Sequence, residues 1–235
     1  MENIANLHRR AARQHGLLTR TDLEEFAITR GVRRRLVAEG TLVPVGPTVF
    51  RVGGAPASRN QRALAATLDT GGFASHRTAA ALHGFDGIDE PDLPEVTIDR
   101  RTKRFRSEIA RVHSTLWLPS SHCVVVEGVP TLNVARTLLS LASMVPTCLA
   151  YDVVAGAVEE AIATKKATDP WIWWLLEQTR RNGRDGVAVL EAVLASREAG
   201  FVTESWLERE FLSILREAGV PLPIRSEERR VGKEC

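Results

Sequence analysis

Apolar and small residues recur at helical spacing from the start of the chain. The pattern over residues 3–15 stops at Gly16 and predicts a first helix. A second helix is expected over Asp22 to Ala27. Its N-cap would be Thr19 or Thr21, because a hydroxyl at that position accepts a hydrogen bond from a free backbone N–H group. The chain therefore begins with two short consecutive helices.

A third helix is predicted between Thr29, its expected N-cap, and Gly40. Val32 and Leu36 lie one turn apart and would face inward. The opposite side then carries four basic residues at helical spacing: Arg30 and Arg34 on its midline, with Arg33 and Arg35 beside them.

Two short runs rich in β-branched residues follow, over Leu42 to Val45 and Thr48 to Val52, with the turn dipeptide Gly46-Pro47 between them. They predict a β-hairpin, and three helices followed by a hairpin are typical of a winged helix-turn-helix. In such modules the third helix enters the major groove of DNA while the hairpin, or wing, touches phosphate. Arg51 on the second strand is the predicted wing contact.

The rest of the chain mixes helical and strand patterns, so we expect an α+β fold. Its middle part predicts helices at 63–68, 76–82 and 133–142, the last capped by Thr131, and strands at 95–99, 110–116 and 122–126, the last continuing to Pro130. Further helices are expected at 147–164, from Asp169 onward, at 187–196 and at 204–218.

Charge is distributed unevenly along the chain. Residues 1–62 hold 11 arginines against 5 acidic residues, a net charge of +6, whereas the whole chain carries +2 and the remainder therefore −4. A locally basic segment on a helix-turn-helix pattern favours DNA as partner over a merely solvated helix face. A second basic run, Arg100 to Arg106, is interpreted as a solvated hairpin loop, with contact to nucleic acid or an acidic partner as the alternative.

Several classes of protein are disfavoured. Apolar runs are too short to cross a membrane and the N-terminus lacks the pattern of a secretory signal, so we expect a cytoplasmic location. The three cysteines, Cys123, Cys148 and Cys235, are odd in number and far apart, which argues against both a disulfide framework and a zinc site.

The histidines do not complete a catalytic motif. His76 and His83 are seven residues apart on one predicted helix, and His113 and His122 fall on neighbouring strands. Since no carboxylate or cysteine accompanies them at ligand spacing, packing or capping roles are favoured. We find no phosphate-cradling glycine loop and no nucleophile elbow. The sequence thus predicts no catalytic residues, no bound metal and no cofactor.

Residues 3–54 resemble the N-terminal winged-helix domain of the AbiEi-type antitoxin family. The stretch from Ser75 to Gly84, and Gly128-Val129-Pro130-Thr131 before the following helix, are similar to the middle domain of many of these proteins. The resemblance implies an autorepressor that occupies its own promoter DNA and separately opposes a nucleotidyltransferase-like toxin. It carries over to the arginines on the matching elements: Arg30, Arg33, Arg34, Arg35 and Arg51.

The segment from Thr203 to Pro221 resembles the opening helix of an endonuclease-like domain related to very-short-patch repair nucleases. That resemblance implies strands carrying metal-binding carboxylates, and these do not follow. We therefore expect five segments: a winged helix at 1–56, an α+β middle domain at 57–145, a helical region at 146–200, the first helix of a truncated endonuclease-like domain at 201–224, and a tail foreign to the fold at 225–235.

The expected function is a DNA-binding transcriptional regulator of antitoxin type, not an enzyme. Two alternatives stay open: a truncated metal-dependent endonuclease targeted to DNA by the winged helix, and a protein-interaction module that binds a partner through the tryptophans of residues 171–174 and the basic run Arg100 to Arg106. Whether the chain acts as a homodimer on two half-sites is also open, because no heptad seam is present.

Overall fold

The computed structural model describes residues 2–101, 106–180, 185–198 and 214–215. The fold is α+β, as expected, and its N-terminal unit has the winged-helix arrangement. In chain order it contains α1 (Glu2–Arg13), β1 (Leu17–Thr19), α2 (Arg20–Glu25), α3 (Arg30–Ala38), β2 (Leu42–Pro44) and β3 (Val49–Val52). The three strands form an antiparallel sheet in the order β1-β3-β2.

The second unit is an α+β layer in which one sheet is covered by helices. It contains α4 (Arg59–Thr70), β4 (Phe73–Ala74), α5 (His76–Leu82), β5 (Glu95–Asp99), β6 (Arg111–Thr115), β7 (Cys123–Val126), β8 (Val129–Leu132) and α6 (Val134–Ala142). The strand order is β6-β5-β4-β8-β7. A single 3-10 turn over Ser120–His122 precedes β7.

Three expectations for this unit are wrong. Residues 129–132 form a separate strand, antiparallel to β7, rather than a continuation of it. Thr131 lies within β8, so the N-cap of α6 is Asn133, whose side chain accepts a hydrogen bond from the backbone N–H of Arg136. The basic run after β5 is not a hairpin loop, because β5 and β6 are parallel and the chain must cross back between them.

The third unit is helical and completes the main core. It contains α7 (Tyr151–Ala163), α8 (Asp169–Arg180) and α9 (Val187–Glu198). These helices pack around α6, all nine residues of which are buried. The predicted helix at 204–218 and the tail at 225–235 lie outside the described residues, apart from residues 214 and 215, which are helical. Among the described residues, no helix is both long and apolar enough to cross a bilayer.

The winged helix and the second unit share one hydrophobic cluster. Leu17 of β1 and Val49 of β3 are fully buried in one hydrophobic cluster with residues of α4 and β8, among them Leu64 and Val129. Polar contacts add to this junction: the Gln61 side chain donates to the carbonyl oxygen of His15 at 2.6 Å. The two units that meet between residues 56 and 57 therefore share one packed core.

Candidate nucleic-acid interface

The helix-turn-helix is organised around the buried carboxylate of Asp22. Thr19 caps α2 in a capping box: its hydroxyl accepts from the backbone N–H of Asp22 at 3.0 Å, and the Asp22 carboxylate accepts from the backbone N–H of Thr19 at 2.8 Å. The same carboxylate receives Arg10 of α1 at 2.9 Å and Gln14 at 3.3 Å. One side chain thus fixes the start of α2 relative to the end of α1.

Helix α3 lies on the surface of this unit. The Thr29 hydroxyl caps it by accepting from the backbone N–H of Val32 at 3.4 Å. Leu36 and Val37 pack, half-buried, against the core that contains Leu18 and Phe50, and no residue of α3 is fully buried. The helix therefore presents most of its circumference to solvent.

The outer side of α3 carries two arginines that are free to bind a partner. Arg30 and Arg34 are exposed, and neither side chain forms a hydrogen bond or ion pair with any residue that the structure describes. Gly31 lies on the same side, and a Cβ atom added there would meet nothing within 4 Å. Ala38 is exposed too. Small residues between the arginines would let the helix axis come close to a flat or grooved surface.

The other two arginines of α3 have contacts within the molecule. Arg33 is half-buried, and its guanidinium carbon lies 5.7 Å from the centroid of the Phe50 ring, a cation–π contact that helps hold α3 on the core. Arg35 pairs with Glu39 one turn later at 3.8 Å, with both side chains exposed. A solvent-exposed pair of this kind is weak, so Arg35 can exchange Glu39 for another anion at little cost.

The wing is turned toward the second unit. The Thr48 hydroxyl donates to Asp69 of α4 at 3.1 Å, and a Cβ atom added to Gly46 would lie 2.8 Å from the Ile109 side chain. The carbonyl of Pro47 accepts from Arg20 at 3.1 Å. The hairpin turn is thus packed in place by long-range contacts.

Arg51 lies on β3, the central strand, between Leu17 and Val43. Strand alternation puts its side chain on the same sheet face as Val49, which is the face that packs against α4. The residue is half-buried, and its Nε atom is enclosed with no hydrogen-bond partner in the described part of the chain. Arg51 is therefore less accessible than Arg30, Arg34 and Arg35.

Helix α1 adds basic residues that the sequence interpretation did not select. Arg9 and Arg13 are exposed one turn apart, and together with Asn6, Arg10 and Phe26 they line a groove of about 250 Å³. Their spacing of four residues on a predicted helix was the available signal.

A polar cavity of about 220 Å³ lies elsewhere, between α6 and the β5–β6 edge of the second sheet. The rings of His76 and His113 stack there with their centroids 3.7 Å apart. The sequence pattern instead places His76 near His83 and His113 near His122. Arg136 also lines the cavity with a side chain that is almost fully buried. Its signal in the sequence is the one charged residue of a helix whose other residues are apolar or hydroxyl-bearing.

The surroundings of these two histidines lower the pKa of each. Burial holds the pKa of His76 well below its usual 6.5, and the neighbouring His113 and Arg77 lower it further. Burial also lowers the pKa of His113, with Glu95 opposing the shift. Both imidazoles are therefore neutral at pH 7, and each can offer one N–H donor and one acceptor.

Comparison with known proteins shows the fold alone. No protein-family model matches the chain, and no curated protein matches it. Among solved structures, the crystal structure of the RV2827C protein from Mycobacterium tuberculosis is similar, with 18% sequence identity and a TM-score of 0.54 over 79% of this chain and 76% of that chain.

Proposed function

We propose that this protein is a DNA-binding transcriptional regulator of the antitoxin type, which occupies the promoter of its own operon and blocks RNA polymerase there. The observation that carries the proposal is the outer side of α3, where Arg30 and Arg34 are exposed and have no partner among the described residues. An unpaired, exposed pair of guanidinium groups on the third helix of a winged helix is the arrangement that reads a major groove.

In the proposed complex α3 enters the major groove with Gly31 and Ala38 against its floor. Arg30 and Arg34 then reach guanine O6 and N7 atoms, each good bidentate contact contributing about 1–3 kcal/mol of discrimination. Arg35 releases Glu39 and takes a phosphate. Because the hairpin turn is packed against α4, Arg51 is a secondary phosphate contact, and the arginines of α1 supply further positive charge near the backbone.

The partners that the resemblance implies belong to the same proposal. The protein acts in the cytosol on double-stranded promoter DNA, needs no cofactor for binding, and separately opposes a nucleotidyltransferase-like toxin. Regulation then depends on occupancy of the promoter and not on a chemical reaction.

The test compares binding of the purified chain to the duplex upstream of its own gene and to a random duplex across a series of salt concentrations. We expect Arg34→Ala to weaken promoter binding by about tenfold to a hundredfold and to reduce the preference over random DNA. Arg51→Ala should instead lower the slope of log affinity against log salt by about 1 at most, since it touches only phosphate.

Arg62→Ala is the matched control, because Arg62 is exposed on α4 and pairs with Glu90 at 2.8 Å, away from α3. The DNA affinity of the Arg62→Ala variant should equal that of the parent. Equal losses in Arg62→Ala and Arg34→Ala, or no loss in Arg34→Ala, would contradict the proposed interface.

A further inference from the structure

The most unusual charged group outside α3 is the guanidinium of Arg136. It belongs to the first turn of α6, where its backbone N–H is held by Asn133 at 2.9 Å. The residue is only 3% exposed, and its Nη1 atom is enclosed with no hydrogen-bond partner in the described part of the chain. An unpaired cation at this depth is strongly disfavoured unless an anion accompanies it.

The acidic residues nearest the cavity do not supply that anion. Glu95 is fully buried, but it is bound by Arg77 through the side chain at 2.9 Å and through the backbone N–H at 2.9 Å. Asp185 lines the cavity at its mouth, where it is exposed to solvent. The cavity therefore has one buried positive charge, with its only lining carboxylate, among the described residues, at the solvent side.

Neutral hydrogen-bond donors converge on the same space. His113 has an enclosed Nε2 atom without a partner in the described chain, and Thr97, which carries a hydroxyl, lines the cavity from the neighbouring strand position. Ser140 and Ser143 also line it, but their hydroxyls already donate to backbone carbonyls and offer only lone pairs. Among the described lining residues, the donors are thus the guanidinium, the two imidazoles and the hydroxyls of Thr97 and Ser114, the second of which also accepts from Arg100 at 3.4 Å.

His76 is held in this cavity at the expense of backbone strain. Its φ of +50° is in the left-handed region, which a residue with a Cβ atom rarely adopts, and the Ser75 hydroxyl lies 2.9 Å from its Nδ1 atom. Such strain persists where the surroundings fix a side chain in place, and it concentrates at ligand-binding and catalytic sites.

The size of the cavity limits the ligand. A volume of about 220 Å³ is below the range of pockets that enclose drug-sized molecules, yet it has room for a tetrahedral oxyanion and several waters. Guanidinium, imidazole and hydroxyl donors around one small space match the several acceptor oxygens of a phosphate group.

From these observations we propose that the Arg136 cavity is a binding site for a small oxyanion, namely inorganic phosphate or the phosphate group of a phosphomonoester. The anion takes two hydrogen bonds from the guanidinium and further ones from His113, His76 and Thr97, and it neutralises the buried charge. This site is separate from the α3 surface and does not depend on the role proposed for it.

The test is isothermal titration of the full chain in a phosphate-free chloride buffer at neutral pH, with inorganic phosphate in one arm and glycerol 3-phosphate in another. We expect saturable binding with one site per chain in at least one arm. Arg136→Met should weaken it by about tenfold to a hundredfold. Arg62→Ala should leave it unchanged. Tighter binding of glycerol 3-phosphate would identify a phosphomonoester, and tighter binding of phosphate the free ion.

Should Arg136→Met fail to fold, as judged by circular dichroism, Thr97→Val takes its place, since it removes one hydroxyl donor at constant volume and should weaken binding several-fold. Absence of binding up to about 10 mM anion in both arms overturns the proposal. Binding that survives in Arg136→Met but is lost in Arg34→Ala also overturns it, because the anion would then lie on α3.

Discussion

At the scale of single residues, His76 combines burial, a left-handed backbone and a stacked aromatic neighbour. The residue is 7% exposed, and its ring stacks on that of His113. Protonating either ring would place positive charge beside Arg136 in the same cavity. The folded protein therefore resists protonation at this position, and the unfolded chain does not.

This difference predicts a loss of stability in mild acid. The pKa of His76 is well below 6.5 in the folded state. Below about pH 6.5 the unfolded chain binds a proton that the folded chain refuses, so the free energy of unfolding decreases as the pH decreases. Between pH 6.5 and its folded pKa, His76 lowers the free energy of unfolding by up to about 1.4 kcal/mol for each unit that the pH decreases. Above pH 6.5, His76 adds no pH dependence.

Urea unfolding at about pH 5.5 and about pH 7.5 checks this expectation. His76→Asn, which tolerates the left-handed backbone, should reduce the difference in free energy between the two pH values. His8→Asn is the control, because His8 is exposed on α1, and it should leave the difference as in the parent. An unchanged difference in His76→Asn would show that other groups cause the acid sensitivity.

At the scale of secondary structure elements, α2 is too short to be stable alone and depends on its cap. It has six residues, and its first turn is fixed by Asp22, which also anchors α1 through Arg10. The position of α2 sets that of α3, which follows after a short turn. A substitution at Asp22 should therefore also shift α3, the proposed DNA-binding helix.

We expect Asp22→Ala to lower the free energy of unfolding by about 1–2 kcal/mol, because it removes the capping box and leaves the N–H of Thr19 without its partner. Glu25→Ala is the matched control, since Glu25 contacts the same arginine at 3.3 Å from an exposed position. Its effect should stay within about 1 kcal/mol. Chemical denaturation followed by far-UV circular dichroism measures both, and equal effects would contradict a special role for the cap.

Elements with a clear pattern, cap or flanking turn were predictable from the sequence, and two of the shortest strands were not. Strand β5 and helix α5 have the predicted bounds, and Thr29 caps α3 as expected. The missed strands β1 and β4 have three and two residues, too few to show alternation, and they exist because neighbouring strands pair with them. Likewise, Thr131 is drawn into β8 by pairing with Ala74, which moves the helix cap to Asn133.

The same distinction holds for the candidate site. The four arginines of α3 follow from local spacing and were predicted. Local spacing could not show that Arg33 lies over Phe50, or that the second unit covers the wing, because these contacts join residues distant in sequence. For the same reason the sequence did not connect His76 and His113 with Arg136.

At the scale of the whole molecule, the hydrophobic cluster across β1, β3 and α4 makes the winged helix and the second unit mutually dependent. Leu17→Ala should lower the free energy of unfolding by about 2–5 kcal/mol for both units together, because a fully buried side chain leaves a cavity at the junction. Tryptophan fluorescence is a selective reporter here: all five tryptophans lie at residue 117 or later, outside the winged helix.

The tryptophan transition of Leu17→Ala should therefore move to lower denaturant in step with the circular dichroism signal. Leu93→Ala is the control, since Leu93 is 46% exposed, and it should change stability by no more than about 0.5 kcal/mol. A tryptophan transition that stays in place while part of the helical signal melts early would mean that the two units unfold independently.

In the complex with DNA that we propose, the anchored hairpin also has a geometric consequence. With the Thr48 hydroxyl on Asp69 and Gly46 against Ile109, α3 has a fixed angle to the rest of the molecule. A protein bound to the third, helical unit, whether a second copy of this chain or another protein, would therefore have one fixed orientation around the DNA axis. If that attached protein has a DNA site of its own, shifting the site by half a helical turn, about 5 base pairs, would place it on the opposite side of the double helix. The attached protein could not reach it there, because its orientation relative to α3 is fixed.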